Sequence, residues 1–169
     1  SSGKVRHIGF TGWDGDYEAQ CKLIYSDKFS SIQVLYNMLN QSAHGEARRT
    51  PHENDQGYGD GDSCVMNLAQ KNEVAIIGIR PFANGAIVDE IKSEKKHDEQ
   101  IYCEHQLMQK LKLQIGRDDL SLAQIAVLFS LANEKISTIV PGIKNSLELN
   151  EVISIYDSTD LKKQDMDRI

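Results

Sequence analysis

The chain has 169 residues, 40% of them apolar, with a mean hydropathy of -0.45, a formal charge of -6 and a pI near 5.3. That length suffices for one domain with a hydrophobic core, and the composition is ordinary for a soluble globular protein. The acidic balance argues against a broad nucleic-acid or anionic-membrane surface, and no apolar run approaches the ~20 residues a bilayer span needs.

Val5–Phe10 is apolar-rich and reads as a buried strand. In Asp14–Tyr25, apolar residues at Tyr17, Cys21, Leu23 and Ile24 have helical spacing. Ser31–Leu35 reads as the next strand. Asn40–Asp62 is polar and rich in Gly, Asp, His and Arg, and reads as a long exposed loop. Val65, Met66, Leu68 and Ala69 mark a short helix within Ser63–Lys71. Val74–Ile79 is a β-branched run typical of a parallel strand covered on both faces. Ala86–Gln114 is charged and helical in parts. Ser121–Ala132 is the clearest helix, because Ser121 and Gln124 have capping-box spacing. Ile136–Val140 is a strand stopped by Pro141-Gly142, and Asn145 or Ser146 can cap a helix to about Tyr156. Residues 1–157 thus form one strand–helix array, and 158–169 form a polar tail. Such alternation predicts a parallel α/β fold.

Three strand exits carry small or Gly residues before a helix: Phe10-Thr11-Gly12-Trp13, Arg80-Pro81-Phe82-Ala83-Asn84-Gly85 and Val140-Pro141-Gly142-Ile143-Lys144-Asn145. Gly lets a backbone approach a ligand, and amides at a helix start favour phosphate. Each exit taken singly reads equally well as a plain turn. His44, His52, His97 and His105 fall in polar segments without ligand spacing, so no metal site is expected. Asp60-Gly61-Asp62 lacks the EF-hand pattern. Cys21, Cys64 and Cys103 are odd in number with no CxxC spacing, which suggests reduced thiols in a cytoplasmic setting.

Together the segments GKVRHIGFTGW, IQVLYNMLNQSA, VAIIGIRPFANGAI and LSLAQIAVLFSLANEKISTIVPGIKNSLEL resemble the carboxyl-terminal half of aldo-keto reductases, in the order of that family's fifth to eighth strands. The resemblance fades in Ala47–Asp62, in Asp89–Gly116 and after Tyr156. It implies the carboxyl-terminal half of a (β/α)8 TIM barrel and an NADP-dependent oxidoreductase. That enzyme would reduce small-molecule carbonyls or oxidise alcohols in the cytoplasm.

The same resemblance implies roles for residues. Thr11 and Gly12 stand where the family usually has Ser-Asn against the nicotinamide carboxamide; Thr11 keeps a hydroxyl and Gly12 loses the amide. Gln33 matches the family's carboxamide-binding Gln. Ile79 stands where many members stack an aromatic on the nicotinamide. Arg80, Phe82, Asn84 and Gly85 would line the diphosphate with their backbone. Pro141, Gly142, Lys144 and Asn145 form the segment that meets the adenosine 2′-phosphate, and Glu148 and Glu151 match adenine-side positions. Negative Glu148 opposes a 2′-phosphate, which leaves NAD as the competing coenzyme. Trp13 sits at the mouth and is a candidate substrate contact. The family's catalytic Asp, Tyr, Lys and His belong to earlier strands, so no catalytic residue is named. A missing amino-terminal half barrel is expected in the full-length protein, and no nucleic-acid or membrane partner is expected. Two other readings compete: a non-catalytic nucleotide-binding or regulatory protein on the same half barrel, and a degenerate product that folds poorly.

Overall fold

The computed structural model describes residues 3–13, 16–45, 58, 59, 61–92, 94 and 96–156. They fall into two compact units. One draws on residues 3–36, 40–79 and 134–139, the other on 37–39, 80–133 and 140–156. The polar tail 158–169, His52 and Asp60 lie outside the described residues.

The first unit is built on a sheet of four strands in sequence order: β1 (Gly9–Thr11), β2 (Ser31–Leu35), β3 (Ala75–Ile79) and β4 (Ile136–Val140). β1 pairs with β2 and β2 with β3 in parallel, aligning Gly9 with Ser31 and Ala75, and Thr11 with Gln33 and Ile77. Parallel neighbours need a crossover, and here helices supply it. The crossovers are α1 (Tyr17–Ile24) between β1 and β2, and α2 (Val65–Lys71) between β2 and β3. Asp16 starts α1 by accepting the Ala19 amide at 2.9 Å, relieving one of the unpaired donors of the first turn.

Side chains alternate across a strand, so each face reads separately. Ile32, Val34 and Ile76 are buried with Ile24, Val65, Met66 and Ala69. Ser31, Gln33, Leu35, Ile77 and Ile79 point the other way and are only half-buried. The expected two-sided cover of Val74–Ile79 is therefore absent from the described residues: one face is packed and the other is open.

The first strand is shorter than expected. It begins at Gly9, and Val5 and Ile8 are exposed at 66% and 49%. Its anchor is Phe10, whose ring meets Phe29 edge-on with centroids 5.1 Å apart. The expected exposed loop 40–62 is also partly folded. Asn40, Ala43 and Tyr58 are buried, and short 3₁₀ turns form at Ser42–His44 and Gly61–Ser63. Lys135, just before β4, donates to His44 Nε2 at 2.9 Å and to Asn67 Oδ1 at 2.6 Å. One ammonium thus ties the 3₁₀ turn and α2 to the approach of β4. Tyr17 donates to the Ser63 carbonyl at 2.5 Å. Desolvation and the hydrogen bond with Cys21 push its phenol up to about 12.

The second unit contains α3 (Glu99–Ile115), α4 (Leu122–Leu131) and α5 (Ser146–Ile153). α4 opens on the expected capping box: Ser121 Oγ accepts the Gln124 amide at 3.2 Å and Gln124 Oε1 accepts the Ser121 amide at 2.8 Å. Leu122, Ile125, Ala126 and Phe129 are buried, as are Met108, Leu111 and Ile115 of α3. His105 stands in a segment that is polar in sequence, yet it is itself buried, at 5% exposed. Asp98 caps α3 through the Ile101 amide at 3.1 Å, and Gly116 ends it in the left-handed region at φ 71°.

Two predictions follow from the first unit. A Cβ on Gly9 would lie 2.2 Å from Ser31 Oγ and 2.9 Å from the Ser31 carbonyl oxygen. Gly9→Ala should therefore lower unfolding stability by about 1–3 kcal/mol in urea titration, and Ser31→Ala should restore only part of it, since the carbonyl clash remains. For Tyr17, folding favours the protonated phenol relative to an unfolded value of 10.0. The stabilisation is complete below pH 10.0 and should fade as pH climbs toward about 12. Tyr17→Phe should flatten that alkaline slope in melts from pH 9.5 to 12 and in the phenolate absorbance.

Candidate functional site

The first unit brings Thr11 and Gly12, at the carboxyl end of β1, beside Gln33, the middle residue of β2. Register places Thr11 opposite Gln33, and Thr11 Oγ1 donates to Gln33 Oε1 at 3.3 Å. The Gly12 amide donates to the Gln33 carbonyl at 2.8 Å, extending the ladder past the strand. This pairing sets the Gln33 side chain on the open face as a carrier of amide N–H donors, with a hydroxyl beside it. A primary carboxamide needs such a set, a donor for its oxygen and an acceptor for its nitrogen.

Gly12 is buried, and a Cβ there would come within 2.9 Å of Ile32 Cδ1 and 3.1 Å of the Gln33 carbonyl oxygen. The absent amide side chain thus has a packing reason: this backbone leaves little room for one. Ile79 aligns with Leu35 on the same open face, half-buried, and its carbonyl accepts the Tyr36 amide at 3.3 Å. Trp13 is exposed at the exit of β1.

In the second unit, Arg80, Phe82, Asn84 and Gly85 form one turn with unusual backbone. Arg80, Ala83 and Asn84 have φ of 57°, 43° and 58°, and Gly85 has 94°. Asn tolerates the left-handed region, but Arg and Ala do so at a cost of about 1 kcal/mol or more each. Such conformations persist only where the surroundings impose them. Some of the restraint is internal: Gly85 and Ile87 amides donate to the Phe82 carbonyl at 2.8 and 3.2 Å, and Ala86 donates to Ala83 at 3.1 Å. Another part comes from Asn37, 2% exposed, whose Nδ2 donates to the Arg80 carbonyl at 2.9 Å. Asn37 was not among the expected site residues. Its signal was a polar residue just past a strand end, where a buried amide needs a main-chain partner.

Pro141, Gly142, Lys144 and Asn145 lead into α5. Asn145 is its N-cap and accepts the Glu148 amide at 2.9 Å. The Glu148 carboxylate folds back onto the same helix start. Its Oε2 accepts the Lys144 amide at 2.8 Å, its Oε1 accepts Asn145 Nδ2 at 3.2 Å, and Lys92 Nζ stands 3.6 Å from Oε1. The Lys144 backbone hydrogen bond, followed by the charge of Lys92, holds this carboxyl below the usual carboxylate range. An anion already sits on this helix terminus, and it belongs to the chain. Glu151 is half-buried, and its carbonyl accepts Gln124 Nε2 at 3.1 Å. Among the described residues no group of three His, Cys, Asp or Glu is placed to hold a metal ion.

The sequence matches the profile of the "Aldo/keto reductase family" over residues 1–169. A search among curated proteins finds no match. The fold resembles the solved holo form of aldo-keto reductase AKR11C1 from Bacillus halodurans, with a TM-score of 0.67 at 15% identity over 96% of this chain and 48% of that one. The apo form of that protein gives the same TM-score and identity, with 49% of its chain covered. The chain therefore spans about half the length of these structural neighbours.

The site yields an acid-side prediction. The Glu148 carboxyl is depressed, so what its ionised form contributes is present above the usual 4.5 and should vanish as pH falls through its lower folded value. Followed by NMR, the Lys144 amide shift should titrate with a midpoint below 4.5. Glu148→Gln should abolish that titration, and a wild-type midpoint at or above 4.5 would contradict the arrangement.

Proposed function

This chain belongs to the aldo/keto reductase family, and from that premise we propose that it is the dinucleotide-binding half of an oxidoreductase that interconverts small carbonyl compounds and alcohols. The observation that carries the reading is the Thr11–Gln33 pair, where the last residue of β1 meets the middle of β2, a donor and acceptor set suited to a nicotinamide carboxamide. The half-length match to the structural neighbours supports the rest: β1 to β4 as the second half of a (β/α)8 barrel, completed by an amino-terminal half elsewhere in the full protein.

When bound, the coenzyme supplies the hydride. This chain's part is to hold it. Gln33 and Thr11 orient the carboxamide, and Ile79 offers an apolar flank on the same face of the sheet. The backbone of Arg80, Phe82, Asn84 and Gly85 lines the diphosphate. Pro141, Gly142, Lys144 and Asn145 meet the adenosine end, with Glu148 and Glu151 on the adenine side. Trp13 contacts the substrate. Lys144 is the reason for favouring NADP(H), as a cation for the 2′-phosphate. Glu148 is the reason to measure NAD(H) beside it, since a 2′-phosphate must share or displace that carboxylate's partners. Acid–base catalysis belongs to the other half. The proposed cytoplasmic placement draws on the odd number of cysteines and their lack of CxxC spacing.

Calorimetric titration tests the reading. The chain should bind NADPH and show no NADPH-dependent carbonyl reduction alone. Gln33→Leu should weaken binding about three- to tenfold through the lost hydrogen bonds. Failure to bind either NADPH or NADH overturns the proposal. Binding that never turns over, even with an amino-terminal half supplied, favours a non-catalytic nucleotide-binding protein instead.

A further inference from the structure

The resemblance fades in the segment holding α3, yet this helix makes a row of contacts that the fold alone does not require. His105, Gln109 and Lys112 follow one another at helical spacing. His105 Nδ1 donates to the Ala86 carbonyl at 3.1 Å; a carbonyl can only accept, so Nδ1 carries the proton. Gln109 Nε2 donates to the carbonyls of Val88 at 3.1 Å and Asp89 at 2.9 Å. Lys112 Nζ donates to Asp89 Oδ1 at 2.7 Å, and that same oxygen accepts the Leu122 amide, the first of α4, at 3.2 Å. Three successive side chains on one stripe of α3 thus grip residues 86–89, the stretch that leaves the left-handed turn. At the other end of the turn, Asn37 holds the Arg80 carbonyl.

We propose that the His105–Gln109–Lys112 row of α3 is the positioning element for the turn Arg80–Gly85, and so sets the affinity for the dinucleotide diphosphate. The coenzyme part rests on the function proposed above. Three non-glycine residues in left-handed conformations would relax if the chain on either side were free. Asn37 fixes one end and α3 fixes the other. Both use side-chain donors on main-chain carbonyls, and both Asn37 and His105 are at least nine-tenths buried. A hydrogen bond from a buried donor is costly to break, because the donor is then left unsatisfied. None of the α3 side chains needs to touch the coenzyme. They act by keeping the main-chain groups of the turn in one arrangement before it arrives, which spares the ligand the cost of ordering them.

The test uses two readouts on the same variants. Gln109→Met keeps the side-chain length and removes the donor. His105→Ala removes the deeper contact, and His105→Asn offers an amide nitrogen near the position of Nδ1. In hydrogen exchange, the amides of Gly85, Ala86 and Ile87 should exchange about tenfold faster in Gln109→Met, with those of α4 unchanged. In calorimetric titration, NADPH affinity should fall about three- to tenfold in Gln109→Met and His105→Ala. It should return in His105→Asn, although Asn leaves a cavity that a packing role would not forgive. Should His105→Ala fail to fold, Gln109→Met carries the test by itself. Exchange at wild-type rates in Gln109→Met overturns the proposal. Faster exchange with unaltered coenzyme affinity also overturns it, leaving α3 a structural brace. A wild-type chain that binds neither NADPH nor NADH brings down the proposed function and the coenzyme half of this inference, while the exchange rates still decide whether α3 holds the turn.

Discussion

The parallel register of β1 with β2 is the constraint on which the first unit depends. Gly9 must face Ser31 and Thr11 must face Gln33, because a shift of one residue would turn every side chain to the opposite face. Phe10 would leave Phe29, and Gln33 would exchange the open face for the packed one occupied by Ile32 and Val34. The narrow fit at Gly9 and Gly12 makes the register hard to slip. At both positions the neighbouring strand comes so close that a methyl group meets its backbone. The chemistry at the strand ends is thus a by-product of packing beneath it. The same two glycines that admit β2 also bring a hydroxyl and an amide side by side.

Two kinds of polar restraint organise the second unit, and they differ in strength. The Glu148 carboxylate at the start of α5 and the Arg117–Asp119 pair are open to solvent on at least one side. Their attraction is screened by water and salt. The contacts of Asn37 and His105 are buried and aimed at main-chain carbonyls. They are less sensitive to ionic strength because their neighbours exclude water. The unit therefore combines a fixed turn with a helix start whose occupancy depends on charge. On the proposed function, a dinucleotide spanning both would meet a rigid partner at its diphosphate and an adjustable one at its adenosine end.

The extent to which this was legible in the sequence varied with the physics of each segment. α4 was readable because its signal is local: Ser121 and Gln124 make their bonds within one turn. The strands were readable as a set, since β-branched runs between helical patterns leave few alternatives to a parallel sheet. The start of β1 was not. Val5 and Ile8 are apolar, but strand pairing begins at Gly9, and apolar character alone does not reveal which residues find a neighbour. The loop after β2 departs from its polar composition for a related reason. Asn40, Ala43 and Tyr58 are buried by contacts distant in sequence, with Lys135 reaching His44 across 91 positions. His105 looked like one more polar residue in a charged stretch. Only its spacing with Gln109 and Lys112, set beside the buried Met108 and Leu111, distinguishes a helix face directed at backbone from one directed at water.

The restraint on the turn after β3 has an evolutionary corollary. On the proposed reading, the path of residues 80–88 is set by Asn37, His105 and Gln109, whose donors bind carbonyl oxygens that every amino acid possesses, whereas Lys112 takes the Asp89 carboxylate. Gly85 apart, whose φ of 94° favours glycine, the side chains within the turn are then less bound to specify its conformation. Sequence drift can proceed there without altering the path of the chain, provided the remote donors persist. Covariation should then link positions 37, 105 and 109 to the existence of the turn more strongly than to the identity of any residue inside it. A motif search confined to the turn would overlook the residues that give it form.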